Sequence, residues 1–95
     1  MLYKGKVEFQ IYASGTPAHK EWPLMRVKLG EDILGDVFVN SGDLQPYNFP
    51  VEIHEKGRQR LEISFLNDFY QAKPYIDRNL LVERAEIQYH SIIWR

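Results

Sequence analysis

The chain has 95 residues, of which 44% are apolar and 14% aromatic, and twelve basic against thirteen acidic residues give a net charge of -1. A chain of this length forms one domain with one modest core. The near-neutral charge excludes the basic surface that attracts a nucleic acid and the polybasic segment that attracts an anionic membrane, so neither partner is expected. No apolar run approaches the roughly 20 residues of a membrane helix. There is no cysteine for a disulfide or a zinc-thiolate site.

The first half of the chain alternates between apolar and polar residues, as half-buried β-strands do. The first strand is predicted over 7–12 and ends at the turn ASGTP, residues 13–17. A second strand is predicted over 24–29, followed by a turn at 30–32. Val37 and Val39 belong to a short third strand that follows Gly35.

The second half continues the same pattern. NSGD at 40–43 is a turn signal, and the strand over 47–53 is flanked and interrupted by prolines, which predicts a strand at the edge of a sheet. EKGRQR at 55–60 predicts a hairpin turn into a strand over 61–66, and a last apolar run begins at Leu80. Short strands between turns, without helical periodicity, predict an all-β fold: an antiparallel, jelly-roll-like β-sandwich that forms a single domain over residues 1–95.

Oxygen-bearing side chains interrupt the last two of these strands. Asn67 and Asp68 precede an eight-residue loop over 69–76, and Asp77 and Asn79 follow it. If the two strands lie together, Asp68 and Asp77 meet and offer the carboxylate oxygens that calcium prefers. The spacing is not that of an EF-hand. The alternative is structural: an Asx-turn at Asn67 and Asp68, with Asp77 capping the next strand or paired with its neighbouring arginine.

Three stretches carry a resemblance to a known family: FLND followed by an aromatic loop and DRNLLVERAEI, GTPAHKEWPLMRVKLGEDILGDVFV, and PYNFPVEIHEKGRQRLEISFLND. Together they span residues 7–87 and resemble the calcium-dependent xylan-binding carbohydrate-binding modules of families 36 and 60. Similar segments occur in large exported bacterial proteins that also carry cytochrome domains. The loop is longer than in the compact xylan binders, Lys73 within it adds a positive charge, and Ala85 stands where a larger aliphatic residue is usual.

The resemblance implies a non-catalytic module that binds xylan or a related β-glycan through a calcium ion in contact with vicinal sugar hydroxyls. It implies an extracellular or periplasmic location as part of an exported protein, with neighbouring domains as further partners. The implied calcium ligands are Asp68 and Asp77, with Asn67 and Asn79 ligating or orienting the loop and Ile76 contributing its backbone carbonyl. The implied ligand-binding residues are Tyr70, Tyr75, Trp22 and Arg78, of which the arginine is expected to brace a carboxylate or a carbonyl.

Two other functions are compared with this one. The first is a structural or protein-interaction sandwich domain of a larger exported protein that has lost sugar binding. The second is an enzyme with Asp68 and Asp77 as a glycosidase pair, which is not expected because the chain is short and its histidines, His19, His54 and His90, are scattered. The resemblance does not extend to residues 88–95, whose apolar end is expected to form either a last strand or a docking segment for a neighbouring domain.

Overall fold

The computed structural model describes residues 5–53 and 57–89. Seven strands lie in these ranges: β1 Gly5–Thr16, β2 Leu24–Leu29, β3 Asp32–Phe38, β4 Gln45–Ile53, β5 Leu61–Phe65, β6 Phe69–Gln71 and β7 Ile76–Tyr89. The described residues contain no helix able to cross a membrane. The predicted all-β fold is confirmed. His54, His90 and the apolar end formed by Ile92, Ile93 and Trp94 lie outside the described residues.

The strands form two sheets. One has the order β4-β1-β7-β6 and the other has the order β3-β2-β5, and every pairing is antiparallel. Side chains from both sheets join one apolar cluster, as in a sandwich whose inner faces interdigitate. This arrangement confirms the predicted antiparallel β-sandwich.

The centre of the core lies between β1 and β2. Phe9 and Ile11 of β1 are fully buried, as are Met25 and Val27 of β2. Each of these large side chains stabilises the fold by about 1.5–3 kcal/mol relative to an exposed position. The two central strands therefore form the buried centre of the fold, and the loops extend from the ends of the strands around it.

The first strand is longer than predicted. The prediction that ASGTP ends it is wrong, since β1 continues to Thr16 and pairs with β7 over its whole second half. Gly15 explains the error: a Cβ at this position would lie 2.5 Å from Cγ of Pro23. The glycine allows the strand to pack closely against Pro23. A glycine is also typical of a turn, so the sequence pattern alone did not show that the strand continues.

The prediction for β2 is confirmed residue for residue, and β4 is an edge strand, as its prolines indicated. β3 begins at Asp32, before the predicted start, because the turn needs only Gly30 and Glu31. Gly30 has a φ of 60°, which a glycine adopts without strain. Of the predicted turn at 55–60, residues 55 and 56 lie outside the described ranges.

The predicted eight-residue loop over 69–76 is wrong. β6 and the start of β7 pair as a short hairpin, in which Phe69 lies opposite Arg78, Tyr70 opposite Asp77, and Gln71 opposite Ile76. The connecting tip is limited to residues 72–75. Because the period of two is hard to detect in a three-residue strand, the sequence did not indicate β6, and β7 begins before Leu80.

Candidate functional site

The register of the β6–β7 hairpin sorts its residues onto two faces. Residues directly opposite each other in an antiparallel pair project to the same side of the sheet. We call the side with Phe69 and Arg78 the inner face and the side with Tyr70 and Asp77 the outer face. Arg78 has only 6% of its surface exposed, whereas Tyr70 has 63%. The inner face is thus packed against the protein and the outer face is open to solvent.

On the inner face, the Arg78 guanidinium donates to three backbone carbonyls. Its Nη2 lies 2.7 Å from the oxygen of Ala18, its Nη1 lies 2.5 Å from that of Asn67, and its Nε lies 3.1 Å from that of Glu21. The Glu21 carboxylate also lies 3.7 Å from Nη2. A planar guanidinium suits this task, because its donors point in fixed and different directions. Arg78 therefore ties three separate segments together at one end of the sandwich.

A tight turn lies over this inner face. Ala18 and Glu21 exchange two backbone hydrogen bonds of 2.9 Å, and the residues between them, His19 and Lys20, have φ values of 50° and 65°. Such values are unfavourable for residues with side chains and persist where the surroundings hold them. The His19 ring meets Phe69 edge to face at 4.8 Å, and Arg78 holds both ends of the turn.

Asn67 makes a second connection between the loops. Its Oδ1 accepts a hydrogen bond of 2.7 Å from the Leu24 N–H, and its Nδ2 donates to the Trp22 carbonyl at 3.0 Å. The amide thus orients the loop between β5 and β6, which is one of the two roles that the sequence allowed it. Trp22 is half-buried beside this contact, and Pro23, the next residue, is buried.

On the outer face, two exposed tyrosines and a carboxylate lie together. The rings of Tyr70 and Tyr75 meet edge to face with their centroids 5.8 Å apart. The Tyr75 hydroxyl donates to Oδ2 of Asp77 at 3.1 Å. That hydrogen bond, together with the negative charge of Asp77, raises the pKa of Tyr75 above its ordinary value. The neighbouring carboxylate thereby keeps the phenol protonated and fixes its direction.

The outer face continues onto the main sheet. Asn79 lies opposite Thr16 of β1, and both side chains are exposed. Asp68 is exposed and directly precedes β6, so the hairpin register, continued by one residue, places it opposite Asn79. The fold therefore assigns Asp77 and Asn79 to one face and brings Asp68 beside it. Thr16 adds a hydroxyl to this face that sequence reasoning missed, because only the pairing of β1 with β7 indicates it.

The donor atoms of this outer face suit a hard cation. Asp68 and Asp77 bring carboxylates, Asn79 an amide oxygen and Thr16 a hydroxyl, and calcium accepts all of these together with carbonyls and water. Among the described residues there is no group of three or more histidine, cysteine or acidic side chains that could hold a metal. A calcium ion here would therefore depend on neutral oxygens for part of its coordination. Ile76 lies opposite Gln71, so its side chain shares the inner face.

A family model matches most of the chain. The model of CBM60, described as a calcium-dependent, xylan-binding carbohydrate-binding module, matches residues 8–92. The chain belongs to this family. The match to CBM60 spans the sandwich strands and both faces of the hairpin, so it confirms the resemblance inferred from the sequence. No curated protein and no solved structure matches the chain.

Proposed function

We propose that this CBM60 module binds a xylan-type polysaccharide without cleaving it, through a calcium ion held on the outer face of the β6–β7 hairpin. The observation that carries the proposal is the division of the hairpin into two faces. Arg78 anchors the inner face by three hydrogen bonds, while Tyr70, Tyr75 and Asp77 are presented on the other side. Binding residues on a fixed support lose little conformational freedom when a ligand binds.

The calcium ligands in this proposal are the carboxylates of Asp68 and Asp77, with the Asn79 amide oxygen and the backbone carbonyl of Ile76. Two carboxylates offset the double positive charge of the ion, and the remaining ligands are neutral. When bound, calcium offers coordination positions to two adjacent sugar hydroxyls in place of water. Asn67 orients the loop from behind, since its amide is engaged with two backbone groups.

The aromatic residues supply the second part of the binding surface. Tyr70 and Tyr75 are 63% and 68% exposed, and we propose that a pyranose ring packs against this pair. Trp22 is half-buried and remains a predicted sugar contact. Arg78, whose guanidinium is buried and bonded to carbonyls, supports the site in this proposal and does not touch the sugar.

Binding without catalysis agrees with the openness of the outer face. A glycosidase pair works around an enclosed bond and needs one carboxyl group with a raised pKa. Here the exposed tyrosines lie on an open surface, which suits recognition of a long polymer. Since xylan lies outside the cells that bind or degrade it, we propose an extracellular or periplasmic location as part of an exported protein.

Isothermal titration against soluble xylan, with and without a chelator, tests the calcium-dependent mode. We expect binding with calcium, loss of binding with the chelator, and loss in Asp77→Ala. The matched control is Asp32→Ala, which removes an exposed carboxylate from β3 on the other sheet and should leave binding unchanged. Binding that ignores both the chelator and Asp77→Ala would refute the calcium mechanism.

The competing function, a sandwich domain that has lost sugar binding, makes a different prediction. It expects a folded protein that binds neither xylan, cellulose nor other β-glycans in the presence of calcium.

Prolonged incubation with xylo-oligosaccharides, followed by product analysis, tests for cleavage. Release of shorter products by the purified module, but not by Asp77→Ala, would contradict a purely binding role.

A further inference from the structure

The outer face of the hairpin continues along the two central strands of the same sheet. Side chains at every second position of β1 are buried, and those between them project to the outside. Thr16 lies opposite Asn79, and from Thr16 to Glu8 these outward positions extend over about 27 Å, at about 3.4 Å per residue. Their partners on β7 run from Leu81 to Gln88. We call this surface the outer strip, and the proposed calcium site lies at one end of it.

Next to the calcium site, the outer strip offers an apolar contact. Leu81 is the next outward residue of β7 after Asn79, and 63% of its surface is exposed. An exposed leucine provides apolar area on which the C–H groups of a sugar ring can pack. Tyr75 precedes Asp77 in the chain and Leu81 follows Asn79, so apolar groups lie on both sides of the proposed calcium ligands along β7.

In the middle of the outer strip, two side chains hold each other in place. The Arg84 guanidinium lies over the Tyr12 ring, 3.8 Å from its centre. It also donates to the Glu86 carboxylate at 2.9 Å and to that of Glu83. A cation over an aromatic ring is attracted to it, and the two carboxylates fix the direction of the guanidinium. Tyr12 and Arg84 therefore form an ordered floor between the two ends of the outer strip.

At the far end, amide side chains lie together. The Gln10 Oε1 accepts a hydrogen bond of 3.1 Å from the Gln88 Nε2 and one of 3.3 Å from the Tyr12 hydroxyl. Asn48 lies opposite Gln10 on β4 and is exposed. Within the described ranges, the Gln10 Nε2 and the Gln88 Oε1 have no hydrogen-bond partner. Amides donate and accept hydrogen bonds, as sugar hydroxyls do, so this end suits a neutral, hydroxyl-rich ligand.

The occupant that fits this surface is a linear polysaccharide that already binds at the calcium site. A polymer extends beyond the unit that the calcium contacts, so its next units either leave the protein or lie along it. In one direction only the hairpin tip over 72–75 remains. In the other direction the outward side of β1 and β7 continues, and the match to CBM60 over residues 8–92 includes both strands up to this end.

We propose that the xylan chain held by calcium continues along the outer strip, with one further subsite at Leu81 and another at the amides of Gln10, Asn48 and Gln88. This inference rests on the proposed function and deepens it, because it assigns the direction of the polymer and the residues that distinguish a long chain from a short one. Side chains that are already ordered lose little conformational freedom when they bind. Units beyond the calcium site therefore add to the affinity for a long chain.

Titration calorimetry with xylo-oligosaccharides of increasing length, in the presence of calcium, tests the outer strip with the whole chain. We expect the affinity to rise from xylobiose to xylohexaose. The double variant Asn48→Ala, Gln88→Ala should bind xylobiose normally and xylohexaose about tenfold more weakly, because hydrogen bonds to distant units are lost. The matched control is Gln59→Ala, which removes an exposed amide that precedes β5 of the other sheet and should change neither affinity.

The apolar subsite is tested by Leu81→Ser. We expect this variant to bind xylotriose several-fold more weakly, because the sugar ring next to the calcium site loses its apolar contact. Ile33→Ser is the matched control, since this isoleucine is 53% exposed on β3 of the other sheet, and its loss should leave binding unchanged. Circular dichroism of each variant checks that the sandwich is folded.

The failure of this inference is distinguishable from the failure of the proposed function. Equal affinity for xylobiose and xylohexaose, or normal binding of xylohexaose by the folded double variant, would overturn the outer strip and leave the calcium site standing. Loss of xylobiose binding in the double variant would also overturn it, because the amides would then support the calcium site. If no oligosaccharide binds in calcium, the proposed function is refuted, and this inference with it.

Discussion

The two faces of the β6–β7 hairpin are built from neighbouring residues and yet have opposite characters. Arg78 on the inner face is buried and has three backbone partners, whereas Asp77, one residue earlier, shares the exposed outer face with Tyr70 and Tyr75. The polar groups of the inner face form hydrogen bonds within the protein and stabilise the fold. The outer face keeps its oxygens and rings available to a ligand. Successive side chains of a strand project to opposite faces of the sheet. Two neighbouring residues can therefore have different roles, one in stabilising the fold and the other in binding.

Loss of the inner-face anchor should have the largest effect. Arg78→Met removes the donors but keeps much of the side-chain volume, and it leaves the carbonyls of Ala18, Glu21 and Asn67 without this partner. Since a hydrogen bond to a charged group contributes about 1.5–3 kcal/mol and the bond to Ala18 is fully buried, we expect the free energy of unfolding to fall by about 3 kcal/mol. Urea denaturation measures this.

Arg78→Lys is the matched control for that change. It retains the positive charge, but a single ammonium lacks the guanidinium fork and reaches fewer carbonyls. We expect an intermediate loss of stability. An unchanged urea midpoint in Arg78→Met would show that the three hydrogen bonds do not support the fold.

Calcium should stabilise the outer face in a way that depends on Asp77. At a calcium concentration of 100 times the dissociation constant, binding to the folded state adds about 2.7 kcal/mol to the free energy of unfolding. We expect the melting temperature of the unchanged chain to rise with calcium and that of Asp77→Asn to stay constant. Asp32→Asn should respond like the unchanged chain. An equal calcium response in Asp77→Asn would place the ion elsewhere.

Loss of an exposed tyrosine should weaken the binding of sugar more than the binding of calcium. We expect Tyr70→Ala to weaken xylan binding by about tenfold, which corresponds to about 1.4 kcal/mol, because the ring provides apolar contact area. Calcium affinity should change little, and Tyr70→Phe, which keeps the ring, should bind nearly normally. Titration calorimetry with each ligand separates the two effects. Equal losses for sugar and calcium would show that the tyrosine organises the metal site instead.

The smallest expected effect is a change in the pKa of Tyr75. Asp77 raises this pKa, because ionisation of the phenol would place two negative charges side by side. Calcium on Asp77 offsets that charge, so the pKa of Tyr75 should fall when calcium is added, and Asp77→Asn should lower it without calcium. The absorbance of tyrosinate, taken as the difference from Tyr75→Phe, reports it. If the pKa of Tyr75 is the same with and without calcium, the ion does not bind next to this tyrosine.

Much of the fold follows from local pattern. The strict alternation in β2 and the prolines of β4 predicted one strand to the residue and the edge position of the other. The errors fall where close packing decides the conformation, as at Gly15 against Pro23, or where a strand such as β6 is too short to show a period.

The candidate site divides in the same way. The sequence by itself determined the residue types, since the oxygens at Asp68, Asp77 and Asn79 and the family motifs around them indicate calcium and a glycan, and the family match supports that interpretation. Only the tertiary structure decided that Asn67 and Arg78 bind backbone groups, while Thr16 joins the outer face. The physical reason is that composition and spacing record which groups are present, but hydrogen-bond partners and the side of a sheet depend on strand register, which joins residues far apart in the chain.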